Sequence, residues 1–332
     1  MKNKGIAIAG CLISDIEYTI DKYPQKGNLT RIYQPVHHTG GANNILIDLA
    51  RLDKGLPLKV SGLVGEDDNG RFILDTLREY PNIDTKNISA RGRTAVTYAM
   101  VEKETRERTF FFDPGNSFDF NISDIDFEHL DADFFLLEYL LALGTLDEED
   151  EIYGTKAAKV LHEAQRRGMK TFIDMVSEES DRYEKVVIPA LKYVDCYISN
   201  EVEAGRVTGI KLYDESGVIE SNMWEALKIL ADMGISEWVI VHSPACGYGL
   251  NCKTGEAFKV PSIRLPQGYI KGTTGAGDAF AAGVMYSVYK DAGLKEALEA
   301  GARCAACSLS AKDSNSGVKS FDKLHSRKSH SK

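Results

Sequence analysis

Gly272-Thr273-Thr274-Gly275-Ala276-Gly277-Asp278 runs directly into the small, apolar stretch Ala279-Phe280-Ala281-Ala282-Gly283-Val284. Gly275 and Gly277 permit turn conformations and let a ligand approach the main chain closely. A helix that starts here aims free N–H groups and the positive end of its dipole at the turn, which makes it an anion site. Asp278 does not serve that purpose, because a fixed negative charge repels phosphate. A carboxylate at that point suits a base that takes a proton from a hydroxyl. The motif alone also fits an ordinary glycine-rich strand-to-helix turn, so its meaning depends on what the fold brings beside it.

Other residues carry chemistry less openly. Asn200-Glu201-Val202-Glu203 follows the apolar run Tyr193 to Ser199 and reads as a helix start, with Asn200 as N-cap and acids in the first turn. Glu138, inside Phe135-Leu136-Leu137-Glu138-Tyr139, is a charge among apolar residues. Desolvation there calls for a partner, unless the side chain faces solvent.

The elements that must position these residues follow from periodicity. Lys4 to Ala9 is a buried first strand, with Ile13 to Tyr18 and Arg31 to Val36 as two further extended segments. Asn43 to Leu52 has helical spacing, Leu58 to Val64 is a strand, and Asn69 to Tyr80 is an amphipathic helix. Arg93 to Val101 and Glu107 to Phe112 alternate around a charged turn and predict a hairpin. From Phe134 onward, strands at Phe134 to Leu137, Met169 to Ile173, Tyr193 to Ser199 and Trp238 to Val241 alternate with helices at Glu151 to Arg167, Glu201 to Thr208 and Met223 to Met233. That order predicts an α/β fold, a mostly parallel central sheet with helices on both faces. Ligands in such sheets bind beyond the carboxyl ends of the strands. The early extended segments then form a small β-sheet lid. Lys323 to Lys332 is basic and almost free of apolar residues, the pattern of a solvated tail.

At 332 residues the chain is long enough for one large α/β domain with a small appendage. Lys plus Arg total 40 against 49 for Asp plus Glu, and the net charge of −9 opposes binding to nucleic acid or anionic lipid. The longest apolar run, Phe134 to Leu143, is broken by Glu138 and too short to cross a bilayer, and the first residues lack a secretory h-region. A cytoplasmic protein is the expectation. Six dispersed cysteines imply reduced thiols. Cys304 and Cys307 have the spacing of a metal pair but lie in an Ala-rich helical stretch, which makes them core thiols.

Taken together, the motifs resemble the ribokinase-like (PfkB) family of carbohydrate and nucleoside kinases over nearly the whole chain. The resemblance implies a kinase domain over residues 1–320 with lid segments at about 12–38 and 91–113, followed by a disordered tail at 321–332. It makes Asp278 the catalytic base and Gly275, Ala276 and Gly277 the anion hole for the transferring phosphate. Asn200 and Glu203 match the family's Asn-x-x-Glu motif, which helps hold Mg²⁺ mostly through water. His38-Thr39-Gly40-Gly41-Ala42-Asn43-Asn44 is similar to the di-glycine motif, and implies sugar contacts from Gly40, Gly41 and Asn44. The Gly pair falls one residue late, and Asn43 also reads as an N-cap. Asp15 stands where the family's first strand delivers an Asp to the sugar, and a carboxylate accepts from two neighbouring hydroxyls. Ile13 stands where ribokinase has Asn, which points away from ribose. Glu138 aligns with a sugar-contacting Glu.

On the nucleotide side the resemblance implicates Thr274 and the adenine-side turn His242-Ser243-Pro244-Ala245-Cys246-Gly247, with His242 and Gly247 as contacts. Phe110, Phe111 and Phe112 either close over a sugar or belong to the core. Gly272 replaces an Asp that helps hold a potassium ion in cation-activated members. The function implied is ATP- and Mg²⁺-dependent phosphorylation of a primary hydroxyl of a sugar or sugar derivative by a lid-paired homodimer. A nucleoside kinase and a non-catalytic sugar sensor on the same fold are the alternatives.

Overall fold

In the computed structural model, which describes residues 4–105 and 107–325, twelve strands form one hydrogen-bonded system. They are β1 (Ile6–Ile20), β2 (Val36–Gly41), β3 (Leu58–Val64), β4 (Ile83–Ala90), β5 (Ala95–Glu102), β6 (Arg108–Asp113), β7 (Phe134–Leu140), β8 (Lys170–Met175), β9 (Cys196–Asn200), β10 (Trp238–His242), β11 (Cys246–Asn251) and β12 (Ala257–Pro261). The main sheet has the order β12-β11-β10-β9-β8-β7-β1-β3-β4. Every neighbouring pair from β10 to β4 is parallel, and β11 runs antiparallel to both its neighbours.

Strand β1 belongs to two sheets. Its first half, Ile6-Ala7-Ile8-Ala9-Gly10-Cys11, is buried on both faces, as a near-continuous apolar run requires. Its second half, from Leu12 onward, leaves the main sheet and pairs with β2 on one side and β5 on the other, and β6 completes that smaller sheet. The chain therefore reaches the lid by extending one strand, and Asp15 lies just past the point where the two sheets part.

Two layers of helices close the main sheet. α1 (Ala42–Leu52), α2 (Asp68–Arg78), α6 (Ala276–Tyr289) and α7 (Leu294–Ser308) share a core with Ile6 and Ile8. α3 (Lys156–Arg166), α4 (Glu201–Thr208) and α5 (Glu220–Asp232) pack on the opposite face, against Ala7 and Ala9. Helix α6 is buried all along Ala279 to Val288, which is why its sequence is small and apolar without a polar stripe. Cys304 and Cys307 are buried thiols on α7. Among the described residues no helix is long and apolar enough to cross a membrane.

Several expectations need correction. Ile13 to Tyr18 is not a separate segment but the continuation of the first strand, because Ile6–Ile20 runs unbroken while its partners change from β3 and β7 to β2 and β5 after Cys11. Residues 31–35 contribute only a bridge between Ile20 and Ile32, and the following strand begins at Val36. β4 escaped the sequence reading because an edge strand written Ile-Asp-Thr-Lys-Asn-Ile-Ser-Ala shows little apolar alternation. The expected tail at 321–332 starts too early: Phe321–His325 forms a short helix with Leu324 buried, and the rest of the tail lies outside the described residues. The three Phe residues are not core, being 55%, 53% and 40% exposed on the lid strand β6.

Candidate active site

The turn before α6 is shaped by Gly275, which has a left-handed conformation at φ 75° and serves as the N-cap without any side-chain cap. A Cβ there would lie 2.6 Å from Cβ of Ser314. The first-turn amides of α6 have no intrahelical acceptor and face outward from the helix end. Two cavities meet at this end, of about 590 Å³ and about 600 Å³, and Asn200, His242 and Gly277 line both. The junction is thus an uncapped helix terminus between two compartments, with amides placed as an anion would need them.

Asp278 faces the first cavity from the first turn of α6. One carboxylate oxygen accepts from Nδ2 of Asn44 at 2.8 Å and the other from the hydroxyl of Tyr139 at 3.0 Å. Burial pushes its pKa above the ordinary Asp value, and these two donors pull in the opposite direction. The site holds the carboxylate in one orientation while leaving it proton-seeking. Asn44 therefore meets Asp278 directly, where the sequence suggested only a sugar contact. Asn43 does not cap α1. Its amide donates to the carbonyls of Ile13 and Gly40 and ties the helix to β1.

Asp15 lines the same cavity, and burial pushes its carboxyl up to about 7. Gly40 is needed beneath it, since a Cβ would stand 2.4 Å from either carboxylate oxygen. Gly41 reaches the cavity wall and Gly40 does not. Glu138 is not surface-exposed: it is fully buried behind the wall, and neither carboxylate oxygen has a partner. One oxygen each from Glu138, Asp174 and Asp278 lie within 4.8 Å of one another. Burial is the main reason that Glu138 and Asp174 sit well above the carboxylate range.

Asn200 and Glu203 form a reciprocal capping box at the start of α4. The Asn200 side chain accepts from the amides of Val202 and Glu203, each at 2.9 Å, and Glu203 accepts from the Asn200 main chain at 3.0 Å. Glu203 also accepts from Ser177 at 2.6 Å. Both ends of the pair reach the first cavity, so the capping role and a ligand-facing position coexist.

Thr274 lines the first cavity, while Gly247 lines the second with Ile263, Phe280 and Ala305. Burial pushes His242 down to about 4, so it is neutral near pH 7. Arg108 of β6 donates to the hydroxyls of Thr273 and Thr274, bridging the lid to the turn.

Sequence reasoning missed Tyr139, Asp174 and the bridge made by Arg108. Asp174 was the most accessible of these, since an acid after Thr171-Phe172-Ile173 ends a buried strand. Nothing in the sequence signals that the Tyr139 hydroxyl reaches residue 278. Tyr139→Phe removes one of two donors to the base, which raises its pKa. Because the base must be deprotonated, the acid limb of kcat/KM is expected to move to higher pH, with roughly a tenfold loss on that limb and little loss on the high-pH plateau. A profile measured from pH 5 to 9 checks this, and an unmoved acid limb would count against the contact.

A proton-seeking carboxylate beside amides open to an anion is what transfer of a phosphoryl group to a hydroxyl requires, and it stands at the strand ends of an α/β sheet, where such folds bind ligands. The chain belongs to the pfkB family of carbohydrate kinases, whose model matches residues 7–320. It is 23% identical over 323 residues to the ribokinase of Haemophilus influenzae, covering 95% of each chain. It is 25% identical over 317 residues to the 5-dehydro-2-deoxygluconokinase of Geobacillus thermodenitrificans, covering 90% of this chain and 88% of that one. Its fold is shared with the Arabidopsis thaliana ribokinase solved in complex with ribose and ATP, with a TM-score of 0.78, 18% identity and 98% of each chain covered. The enzyme is a sugar kinase in class, a phosphotransferase acting on an alcohol.

Proposed function

We propose that this kinase transfers the terminal phosphoryl group of ATP to a primary hydroxyl of a sugar or sugar derivative held in the first cavity. The observation that carries the reading is the place of Asp278, inside that cavity and one residue beyond Gly277, which lines both compartments. Asp278 takes the hydroxyl proton as the acceptor oxygen bonds to phosphorus and the bond to the nucleotide breaks. Charge building on the transferring group is met by the amides of Gly275, Ala276 and Gly277 at the capless end of α6. Asp15 accepts hydroxyl hydrogen bonds from the sugar, with Gly41 and Asn44 beside it.

The second cavity, with apolar walls from Ile263, Phe280 and Ala305, suits a nucleotide base, and Thr274, His242 and Gly247 border its path. Glu203 accepts three protein hydrogen bonds and so keeps carboxylate capacity that fits Mg²⁺ held through water, while the Asn200 side-chain oxygen is taken by the Val202 and Glu203 amides and Asn200 serves to hold Glu203 in place. Bound there, Mg²⁺ would offset phosphate charge. The lid, segments 12–38 and 91–113, excludes water from the reacting groups. Pairing of two lids through β6, whose Phe111 is 53% exposed, gives the homodimer.

A nucleoside acceptor is the second reading, favoured by Phe110 and Phe112 on the cavity wall. Release of ADP from ATP and Mg²⁺ with a panel of sugars and nucleosides tests all of this. Turnover on one class identifies the acceptor, and binding without any turnover would replace the kinase reading with a sugar sensor.

The cation requirement gives a separate expectation. A Cβ on Gly272 would lie 2.8 Å from the carbonyl oxygen of Lys312, so this position has neither a carboxylate nor ready space for one. Exchanging K⁺ for Na⁺ at constant ionic strength is expected to change kcat less than about twofold, within ordinary salt effects. Strong activation by K⁺ alone would show that other oxygens build the site.

A further inference from the structure

The chain that follows α7 packs against the turn that opens α6. A Cβ on Gly272 would stand 2.8 Å from the carbonyl oxygen of Lys312 and 2.9 Å from that of Ala311, and one on Gly275 would stand 2.6 Å from Cβ of Ser314. The next residue reaches the other way, toward α1. Asn315 is buried, and its side-chain nitrogen donates at 2.9 Å both to the main-chain carbonyl of Asn44 and to one carboxyl oxygen of Asp48. Asp48 is fully buried and its second oxygen has no partner among the described residues, so the bond from Asn315 offsets part of its desolvation. The segment is held in turn from both sides. Asp313 accepts from the amides of Asn315 and Ser316 at 3.0 and 2.6 Å, and Arg51 of α1 donates to the carbonyls of Ser316 and Val318 at 3.0 and 3.2 Å.

These contacts close a circuit around the site. Gly275 packs on Ser314, Asn315 grips Asn44, the Asn44 side chain donates to Asp278 at 2.8 Å, and Asp278 belongs to the same helix start as Gly275. Asn315 itself lines neither of the two cavities.

Resting on the reading of Asp278 as the base, we propose that Asn315 is a positioning residue that acts through Asn44, fixing the acceptor side of the site against the end of α6. Transfer needs the acceptor hydroxyl, the base and the phosphoryl group in register, and a misplacement of about 1 Å can cost on the order of 10²-fold. One side chain supplies that register by tying α1, which carries Asn44, to the segment on which the turn rests. Without Asn315 the Asn44 carbonyl keeps its place in the helical hydrogen-bond ladder, so α1 stays a helix and loses only its lateral hold.

The test measures ADP release and melting temperature for the whole chain with ATP, Mg²⁺ and its best acceptor from the panel of sugars and nucleosides. Asn315→Ala is expected to lose about 10–100-fold in kcat, with the KM for ATP changed less than about threefold. Asp48→Ala loses the same buried bond but keeps the grip on Asn44. It is expected to melt lower, as Asn315→Ala does, and to keep kcat within about threefold of the wild type. In an Asn44→Ala background, adding Asn315→Ala is expected to cost less than about threefold more, because effects that pass through one contact are not additive. Where Asn315→Ala alone does not fold, the comparison is Asp48→Ala against Asp48→Ala/Asn315→Ala, which leaves no buried acid unpaired and should show the same loss of kcat. An unchanged kcat in the Asn315 variant, an equal loss in Asp48→Ala, or independent losses at Asn315 and Asn44 overturns the inference and leaves the kinase reading intact. Absence of turnover by the wild type on every acceptor removes the kinase reading instead. Calorimetry then decides on the tether: acceptor binding weakened by Asn315→Ala and by Asn44→Ala without summing supports it, and summed effects overturn it.

Discussion

Asp278→Asn is expected to lower kcat by about 10²–10⁴-fold, the usual contribution of a general base, with nucleotide affinity little changed. The substitution keeps the shape and lets the amide oxygen accept from Asn44 and the amide nitrogen donate to the Tyr139 hydroxyl, groups that now hold the carboxylate at 2.8 and 3.0 Å. What it removes is the capacity to take a proton. It also removes a buried charge. Asp278 has a raised pKa, so its charged form is less stable in the folded chain than in the unfolded one. Stability linked to this group is present below its unfolded pKa and lost as pH rises through its folded pKa. Above that folded pKa the Asn variant is therefore expected to melt no lower than the wild type in a pH 8 thermal scan. Steady-state ADP release gives kcat, and nucleotide titration gives affinity. Retention of full kcat would remove Asp278 from the chemistry. A large drop in melting temperature would show that its role is structural.

The parts of the molecule legible in sequence were those set by periodicity and by glycine. Leu58–Val64 and Glu201–Thr208 have the bounds their patterns implied, because a buried parallel strand and a capped helix both announce themselves locally. The glycine-led start of α6 was legible for the same reason. What could not be read was anything that depends on distant segments meeting. Tyr139 and Asn44 come from β7 and α1 and converge on Asp278 from more than one hundred residues away. Glu138 illustrates the limit from the other side. Its sequence neighbours showed a charge among apolar residues but not whether the chain would expose it, and the answer came from the strands beside it. Phe110 to Phe112 looked like core because aromatic runs usually are, yet β6 is a lid edge with no second layer over it.

The second large effect separates the two glycines of the turn. At Gly275 the left-handed φ of 75° and the 2.6 Å approach to Ser314 both oppose a side chain. Gly275→Ala is expected to cost about 1–3 kcal/mol, and with it a melting temperature lower by roughly 2–8 °C. Gly277 is different. It lies in the helix, and a Cβ there would be 3.4 Å from the nearest atom of His242, an ordinary contact, so the fold tolerates alanine at this position. The methyl group would instead occupy the junction that both cavities share. Gly277→Ala is therefore expected to melt near the wild-type temperature and yet lose about 10²–10³-fold in kcat, the scale of losing one preorganised donor to the transferring group. Paired melting curves and ADP-release kinetics on the two variants test the argument together. If Gly277→Ala turned over normally, the phosphoryl group would have to pass elsewhere than the end of α6. If Gly275→Ala melted normally, its left-handed turn would not be what fixes that helix end.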